Sequence, residues 1–227
     1  MSVVVAENLS RRFGRRWAYA RFNLQLEPGE RLLLIGANGS GKTTVLRSLA
    51  TLLPPSLGSL KIFGMDVQSD VDAIRSRIGF LSHKTGLYED LSAVENLQIF
   101  GRLFEKPLST KEAEYFVSEV GLEIRPDPIR TYSAGMRKRA SVALLRLKNP
   151  DLILLDEPFS ALDPKGVDEI ASLFQQMPAT QILVSHQVER ASRLCTRALL
   201  LENGLTRWQG DASQAWLAWQ KSQQEPV

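Results

Sequence analysis

The segment that most constrains this chain is Gly36-Ala37-Asn38-Gly39-Ser40-Gly41-Lys42-Thr43, which matches the pattern G-x-x-x-x-G-K-[ST]. Glycines at this spacing let the backbone curl so that successive N–H groups point inward and surround an anion. A helix that begins at the end of the loop adds the positive end of its dipole. The motif therefore predicts a loop that cradles a polyphosphate, with Lys42 reaching the terminal phosphates and the Thr43 hydroxyl offered to Mg²⁺.

The residues on either side favour this interpretation over a glycine-rich turn that merely contains Lys and Thr. Upstream, residues 31–35 are mostly apolar, as expected for a strand buried on both faces. Downstream, residues 44–53 carry valine and leucine at helical spacing, and Pro54 ends that pattern. Strand, loop and helix in this order form the context that such a motif requires.

Composition limits the other classes of protein. An apolar fraction of 44% favours a folded chain over disorder. No apolar run approaches the roughly 18 residues of a membrane span, and the N-terminal residues lack the pattern of a secretory signal. Cys195 is the single cysteine of the sequence, so neither an internal disulfide nor a thiol-rich metal cluster is expected. These features favour the cytosol, whereas a net charge of +3 neither requires nor excludes nucleic acid.

Hydrophobic periodicity predicts an α/β frame interrupted by helices. Capping boxes begin at Ser92 and Ser109, and a third helix is expected over 134–148. Alternation over 22–26 predicts an antiparallel strand at an edge. We therefore expect a single domain, 1–227, whose parts are an α/β nucleotide-binding core (1–83 and 151–210), a helical subdomain (84–150), and a C-terminal helix and tail (211–227).

The C-terminal segment is expected to form a helix with one apolar face. Ala212, Ala215, Trp216 and Trp219 share that face, which either packs on the domain or contacts a partner or a membrane surface. The residues from Gln220 onward are expected to fray.

A second motif supplies carboxylates. The apolar run 152–155 is followed by Asp156 and Glu157, and open α/β sheets place ligands at the carboxyl ends of their strands. Asp156 is therefore a candidate Mg²⁺ ligand, and Glu157 a candidate general base for an attacking water. The alternative, a strand that ends in an acidic turn, is disfavoured by the phosphate loop in the same chain.

Together with three further motifs, these residues make the chain resemble the ATPase cassette of ABC transporters along nearly its whole length. Gly36–Thr43 is similar to the Walker A motif of that family, and Leu152–Glu157 to Walker B. Tyr132–Met136 is similar to the LSGGQ signature, with Tyr for Leu, Ala for Gly and Met for Gln. Ser160–Asp163 resembles the D-loop, and Ser185-His186 the switch histidine.

The resemblance implies a P-loop NTPase core, with a mixed sheet flanked by helices, an antiparallel β edge and an inserted helical subdomain. It implies a head-to-tail dimer with two ATP molecules, each between the Walker A motif of one subunit and the signature of the other. Lys42, Glu157 and His186 would act in catalysis, and Thr43, His83 and Asp156 would lie at Mg²⁺. The expected ATP-binding residues are Phe13, Gly36, Ala37, Asn38, Gly39, Ser40, Gly41, Lys42, Thr43, Thr44, Ser133, Ala134, Gly135 and Asp163.

Some of these residues have structural alternatives. Ser133 suits an ordinary helix N-cap as well as a second phosphate-binding helix end, and Asp163 before Pro164 suits an N-cap as well as a contact across the dimer. His186 could also be a half-exposed loop histidine.

The adenine-stacking residue is also open. Phe13 fits the place of the family's aromatic, but it could be a strand-end core residue, and Trp17 and Tyr19 compete for the role. His83 stands where the family has glutamine. We predict that His83 keeps the role of sensing Mg²⁺ and the membrane partner.

The resemblance also implies partners, because the chain has no spans of its own: separate transmembrane subunits and a second ATPase subunit, with no nucleic acid, at the inner face of the cell membrane. The run 81–88 and the signature at 132–136 look like the ATP-binding subunit of the haem exporter used in cytochrome c maturation. Another small exporter and a soluble, non-transport ABC ATPase are the alternatives. A P-loop kinase would have no use for the signature, D-loop and switch histidine together.

Overall fold

The computed structural model describes residues 1–82 and 85–224. The strands are β1 (Val4–Phe13), β2 (Arg16–Leu26), β3 (Arg31–Ile35), β4 (Leu57–Ile62), β5 (Met65–Asp66), β6 (Ile78–Leu81), β7 (Leu152–Asp156), β8 (Thr180–Val184), β9 (Arg197–Glu202) and β10 (Leu205–Asp211). The α-helices are α1 (Lys42–Leu49), α2 (Val71–Arg77), α3 (Ala93–Leu103), α4 (Thr110–Glu119), α5 (Ala134–Lys148), α6 (Pro164–Gln176), α7 (Val188–Ser192) and α8 (Ala215–Gln224). Short 3₁₀ turns lie at Ile129–Thr131 and Ala212–Gln214.

The described residues divide into two compact units. The first contains Met1–Phe80, Asp151–Glu157 and the chain from Ala179 onward, and the second contains Leu81–Pro150 and Pro158–Pro178. This division differs from the expected one at 158–178, which the sequence placed in the α/β core. Within the second unit, Arg139 of α5 binds Glu169 of α6 at 2.8 Å, a long-range contact for which periodicity along the chain carries no signal.

The first unit contains two sheets. One is six-stranded in the order β10-β9-β3-β8-β7-β6, and the other is an antiparallel sheet in the order β2-β1-β4-β5. Strands β9, β3, β8 and β7 are parallel, whereas β10 runs antiparallel to β9. The mixed sheet and the antiparallel edge, with β2 outermost, confirm the predicted fold class.

The register of the parallel strands positions the site. Leu34 of β3 and Asp156 of β7 both lie opposite Val184 of β8. The three strands therefore end at one edge of the sheet, where open α/β sheets carry ligands. Strands β7 and β8 are buried along their whole length, which explains the apolar runs 152–155 and 182–184 within them.

The second unit is helical, and its helix starts follow from local sequence. Ser92 and Ser109 form the predicted capping boxes, each accepting from the backbone N–H of the glutamate three residues later, Glu95 or Glu112. Asn96 is buried, and its amide binds the backbone of Tyr88 and the carbonyl of Ser92, closing the turn before α3.

The C-terminal expectations are met in part. Ala212 and Ala215 are buried, but the Trp216 side chain is partly exposed, so the apolar face does not pack as a whole. The expected fraying from Gln220 is wrong as far as Gln224, because α8 extends to that residue. Within the described residues, no helix has the length and apolarity that a membrane span requires.

Candidate nucleotide-binding site

The loop after β3 is shaped by close backbone approaches. A Cβ on Gly36 would lie 2.1 Å from the Leu201 carbonyl oxygen and 2.6 Å from Ser40 Oγ. Gly41 has φ +106°, and a Cβ there would lie 2.3 Å from the Ala18 carbonyl oxygen. Both positions therefore require glycine, because the loop is pressed against the backbone of β2 and β9.

Lys42 begins α1 and turns back onto the loop. Its Nζ donates to the carbonyl oxygens of Gly36 at 2.7 Å and Ala37 at 2.9 Å. Burial lowers the pKa of Lys42, an effect that the nearby carboxylates of Glu157 and Asp156 oppose. The ammonium is thus held at the loop by neutral carbonyls, which a more strongly interacting polyphosphate can replace.

Ser40 adds evidence that the loop is built for a ligand. The residue is buried, and in the described part of the chain its Oγ has no hydrogen-bond partner. Buried hydroxyls are normally satisfied, so this group is suited to a partner that arrives with a substrate.

The metal-binding candidates meet at the sheet edge. Thr43 Oγ1 donates to Asp156 Oδ1 at 3.2 Å, and Asp156 is buried at the end of β7. Mg²⁺ is commonly held by one or two protein oxygens together with substrate phosphates and water, so this pair fits it. No group of three or more His, Cys, Asp or Glu in 1–82 and 85–224 could hold a metal unaided. His83 lies outside the described residues.

Glu157 and His186 contact each other through both carboxylate oxygens. The His186 backbone N–H donates to Glu157 Oε2 at 3.2 Å, and His186 Nε2 lies 3.3 Å from Oε1. The glutamate side chain is 13% exposed and the histidine 58%. Burial raises the pKa of Glu157, and the contacts with His186 oppose that rise. The pair is therefore a mostly buried carboxylate beside a solvent-accessible imidazole, an arrangement that suits general-base chemistry.

The second unit carries the signature and D-loop residues, each at a helix start. Ser133 Oγ accepts from the Met136 N–H at 3.2 Å, and an Asp163 carboxylate oxygen accepts from the Gly166 N–H at 3.2 Å. Both predicted N-caps are confirmed. Ser133, Ala134 and Asp163 are exposed, which leaves the roles across a dimer open as predictions.

The three aromatic residues considered for stacking on adenine differ in how far they are buried. Tyr19 is wrong as a stacking residue, because it is fully buried and its hydroxyl donates to Ser48 Oγ at 2.7 Å. Phe13 is 50% exposed at the end of β1, so the alternative of a core residue is also wrong. Trp17 is 42% exposed and remains a competitor.

Fold and site together define a P-loop nucleoside triphosphatase of the ABC type. A family model described as ABC transporter matches residues 19–160. The Nod factor export ATP-binding protein I of Ralstonia nicotianae is 33% identical over 214 residues, covering 92% of this chain and 67% of that protein. The ergothioneine transport ATP-binding protein EgtV of Helicobacter pylori is 35% identical over 205 residues, covering 87% and 96%.

A solved structure agrees with these matches. The ATP-binding cassette MJ0796, in a dimeric post-hydrolysis state bound to ADP and Pi, superposes with a TM-score of 0.83 at 26% identity, over 92% of this chain and 98% of that one. The chain belongs to the ABC transporter family as an ATP-binding subunit, and it is an ATPase whose reaction is coupled to transport.

Proposed function

We propose that this chain is the ATP-hydrolysing subunit of an ABC exporter, and that it drives separate transmembrane subunits from the cytoplasmic face of the membrane. One observation carries the proposal: Lys42, the Thr43–Asp156 pair and the Glu157–His186 pair converge where β3, β7 and β8 end. Phosphate binding, metal binding and water activation are thus available at a single edge of the sheet.

The reaction is an in-line attack of water on the γ-phosphate of ATP. Lys42 and the loop N–H groups stabilise charge on the phosphate oxygens. Glu157 orients the water and accepts its proton, while His186, beside it at 3.3 Å, steadies that geometry. Mg²⁺, held by Thr43 and Asp156, would neutralise phosphate charge when bound. Phe13 would stack on adenine, since its ring is half exposed.

A head-to-tail homodimer would complete the site. The exposed start of α5, with Ser133 and Ala134, can offer backbone N–H groups to the nucleotide of the second subunit. Asp163 at the start of α6 would communicate between the two sites. His83 would sense Mg²⁺ and the membrane partner in place of the family's glutamine.

For the cargo, we propose haem export in cytochrome c biogenesis, on the resemblance of 81–88 and of the signature Tyr132–Met136 to that subfamily. The two relatives above are named for Nod factor export and ergothioneine transport, and neither name mentions haem. Export of another small cargo is therefore the competing function.

Purification from detergent-solubilised membranes tests the function. An integral membrane subunit that co-purifies with the tagged chain would support it, whereas ribosomes or DNA in its place would overturn it. Deleting the gene tests the cargo separately, because only haem export predicts the loss of membrane c-type cytochromes. Normal cytochrome levels beside a co-purified membrane subunit would refute haem and leave export standing.

A further inference from the structure

The β1–β2 hairpin ends in two exposed aromatic rings, each covered by an arginine. The Arg11 guanidinium carbon lies 4.9 Å from the centre of the Phe13 ring, and that of Arg12 lies 5.8 Å from the Trp17 ring. Phe13 lies opposite Arg16 in the ladder, and successive residues of a strand point to opposite faces. The Phe13 and Trp17 rings therefore lie on opposite faces of the hairpin.

The Arg11–Phe13 stack is fastened to the segment that follows the phosphate-loop helix. Arg11 Nη1 donates to the Pro54 carbonyl oxygen at 2.7 Å. Two residues further on, the Ser56 N–H donates to the Ser10 carbonyl oxygen at 2.8 Å, and Ser56 Oγ accepts from the Arg12 N–H at 3.2 Å. The connection between α1 and β4 thus holds Arg11 over one ring face of Phe13.

We propose that Arg11 is the positioning residue for adenine. Its guanidinium occupies one face of Phe13 and fixes the ring, so that the opposite face is presented to the purine. This inference rests on the proposed stacking role of Phe13. An aromatic side chain that is already ordered loses less conformational freedom on binding, and a cation on one face favours stacking of an electron-rich base on the other.

The test measures the contribution of the adenine base to binding separately from that of the phosphates. MgATP and inorganic tripolyphosphate with Mg²⁺ are titrated by calorimetry into the whole chain and its variants Arg11→Ala and Phe13→Ala. We expect Arg11→Ala to weaken MgATP binding about two- to fivefold, the size of a partly exposed cation–π contact. Phe13→Ala is expected to weaken it about fivefold or more, as for loss of a base-stacking ring. Tripolyphosphate binding should stay unchanged in both, because the phosphate loop is intact.

A double variant and a matched control complete the design. Arg11→Ala combined with Phe13→Ala should bind MgATP no more weakly than Phe13→Ala alone, because Arg11 acts through the ring. The control is Arg12→Ala, which removes the same charge from the same strand. Because Arg12 covers Trp17 and not Phe13, this variant should bind MgATP like the unmodified chain.

Each other outcome has a defined meaning. If Phe13→Ala weakens MgATP binding and Arg11→Ala does not, the positioning role is refuted while the stacking role stands. An equal loss in Arg12→Ala, or a parallel loss of tripolyphosphate binding in Arg11→Ala, would point to net charge and also refute it. If Phe13→Ala has no effect, the stacking role fails and the positioning role with it, while ATP binding by the phosphate loop is untouched.

Discussion

Two alanine substitutions in the phosphate loop separate backbone strain from steric overlap. Gly39 has φ +79°, and a Cβ added there would meet nothing within 4 Å, whereas Gly41 has φ +106° and its added Cβ would lie 2.3 Å from the Ala18 carbonyl oxygen. Gly39→Ala therefore costs the conformational strain alone, about 1–2 kcal/mol, partly offset by about 0.4–1 kcal/mol from a less flexible unfolded chain. The net loss expected for Gly39→Ala is about 1 kcal/mol.

Gly41→Ala has the same conformational strain and the same unfolded-state offset, and it adds a steric overlap. The backbone of the loop or of β2 must move by about 1 Å to relieve the overlap, which typically costs another 1–3 kcal/mol. The total is about 3 kcal/mol, or a melting temperature about 6–12 °C lower in a chain of this size. Gly39→Ala should lower it by about 2–4 °C.

Thermal unfolding followed by circular dichroism, without nucleotide, measures both variants under one condition. Urea unfolding checks that the slope of the transition is unchanged, so that the shift reports stability. Equal destabilisation by the two substitutions would refute the expectation that the close approach between Gly41 and β2 determines the stability of this loop.

Two further substitutions, the second with a matched control, test the proposed general base and the helical unit. Glu157→Gln should reduce phosphate release about 10²–10⁴-fold while leaving MgATP binding intact. Gel filtration of this variant with ATP should show a dimer, and elution as monomer alone would contradict the proposed head-to-tail homodimer. In the unmodified chain, acidification protonates Glu157, and because burial raises its pKa, activity should decline at a higher pH than for an ordinary glutamate. Arg139→Ala removes charged hydrogen bonds to Glu169 and to the Val120 carbonyl oxygen, so it should lower stability by about 1–3 kcal/mol, whereas Arg130→Ala breaks an exposed pair and should cost less than about 1 kcal/mol. Equal melting temperatures for these two variants would refute that ranking.

Features encoded by neighbouring residues could be predicted from the sequence. The phosphate loop, the capping boxes at Ser92 and Ser109 and the N-caps at Ser133 and Asp163 all depend on contacts within a few residues, and the structure has each of them. The start of α3 and both ends of α5 agree with expectation for the same reason.

Features that depend on distant contacts could not be predicted. Strand β10 is largely exposed, and its sequence has no apolar alternation that would predict a strand. It is recognised as a strand by its pairing with β9. Tyr19 has an aromatic ring that could stack on a base. Its place in the core follows from the packing of β2 against α1, where its hydroxyl donates to Ser48. The grouping of 158–178 with the helical unit likewise rests on contacts between residues far apart in the chain, of which the Arg139–Glu169 pair is one.

The different contacts of Asp156 and Glu157, on which their proposed roles rest, coincide with an unusual backbone torsion at Glu157. Asp156 is the last residue of β7 and accepts from Thr43, its partner in the proposed Mg²⁺ site. Glu157 has φ +52°, a conformation that costs energy for a residue with a Cβ, and its N–H donates to the Val184 carbonyl oxygen at 2.9 Å. This bond holds the strained residue against the end of β8, from which His186 follows two residues later and reaches the carboxylate. Adjacent carboxylates are thereby directed to different partners, because the strand ends with a left-handed residue that a neighbouring strand stabilises.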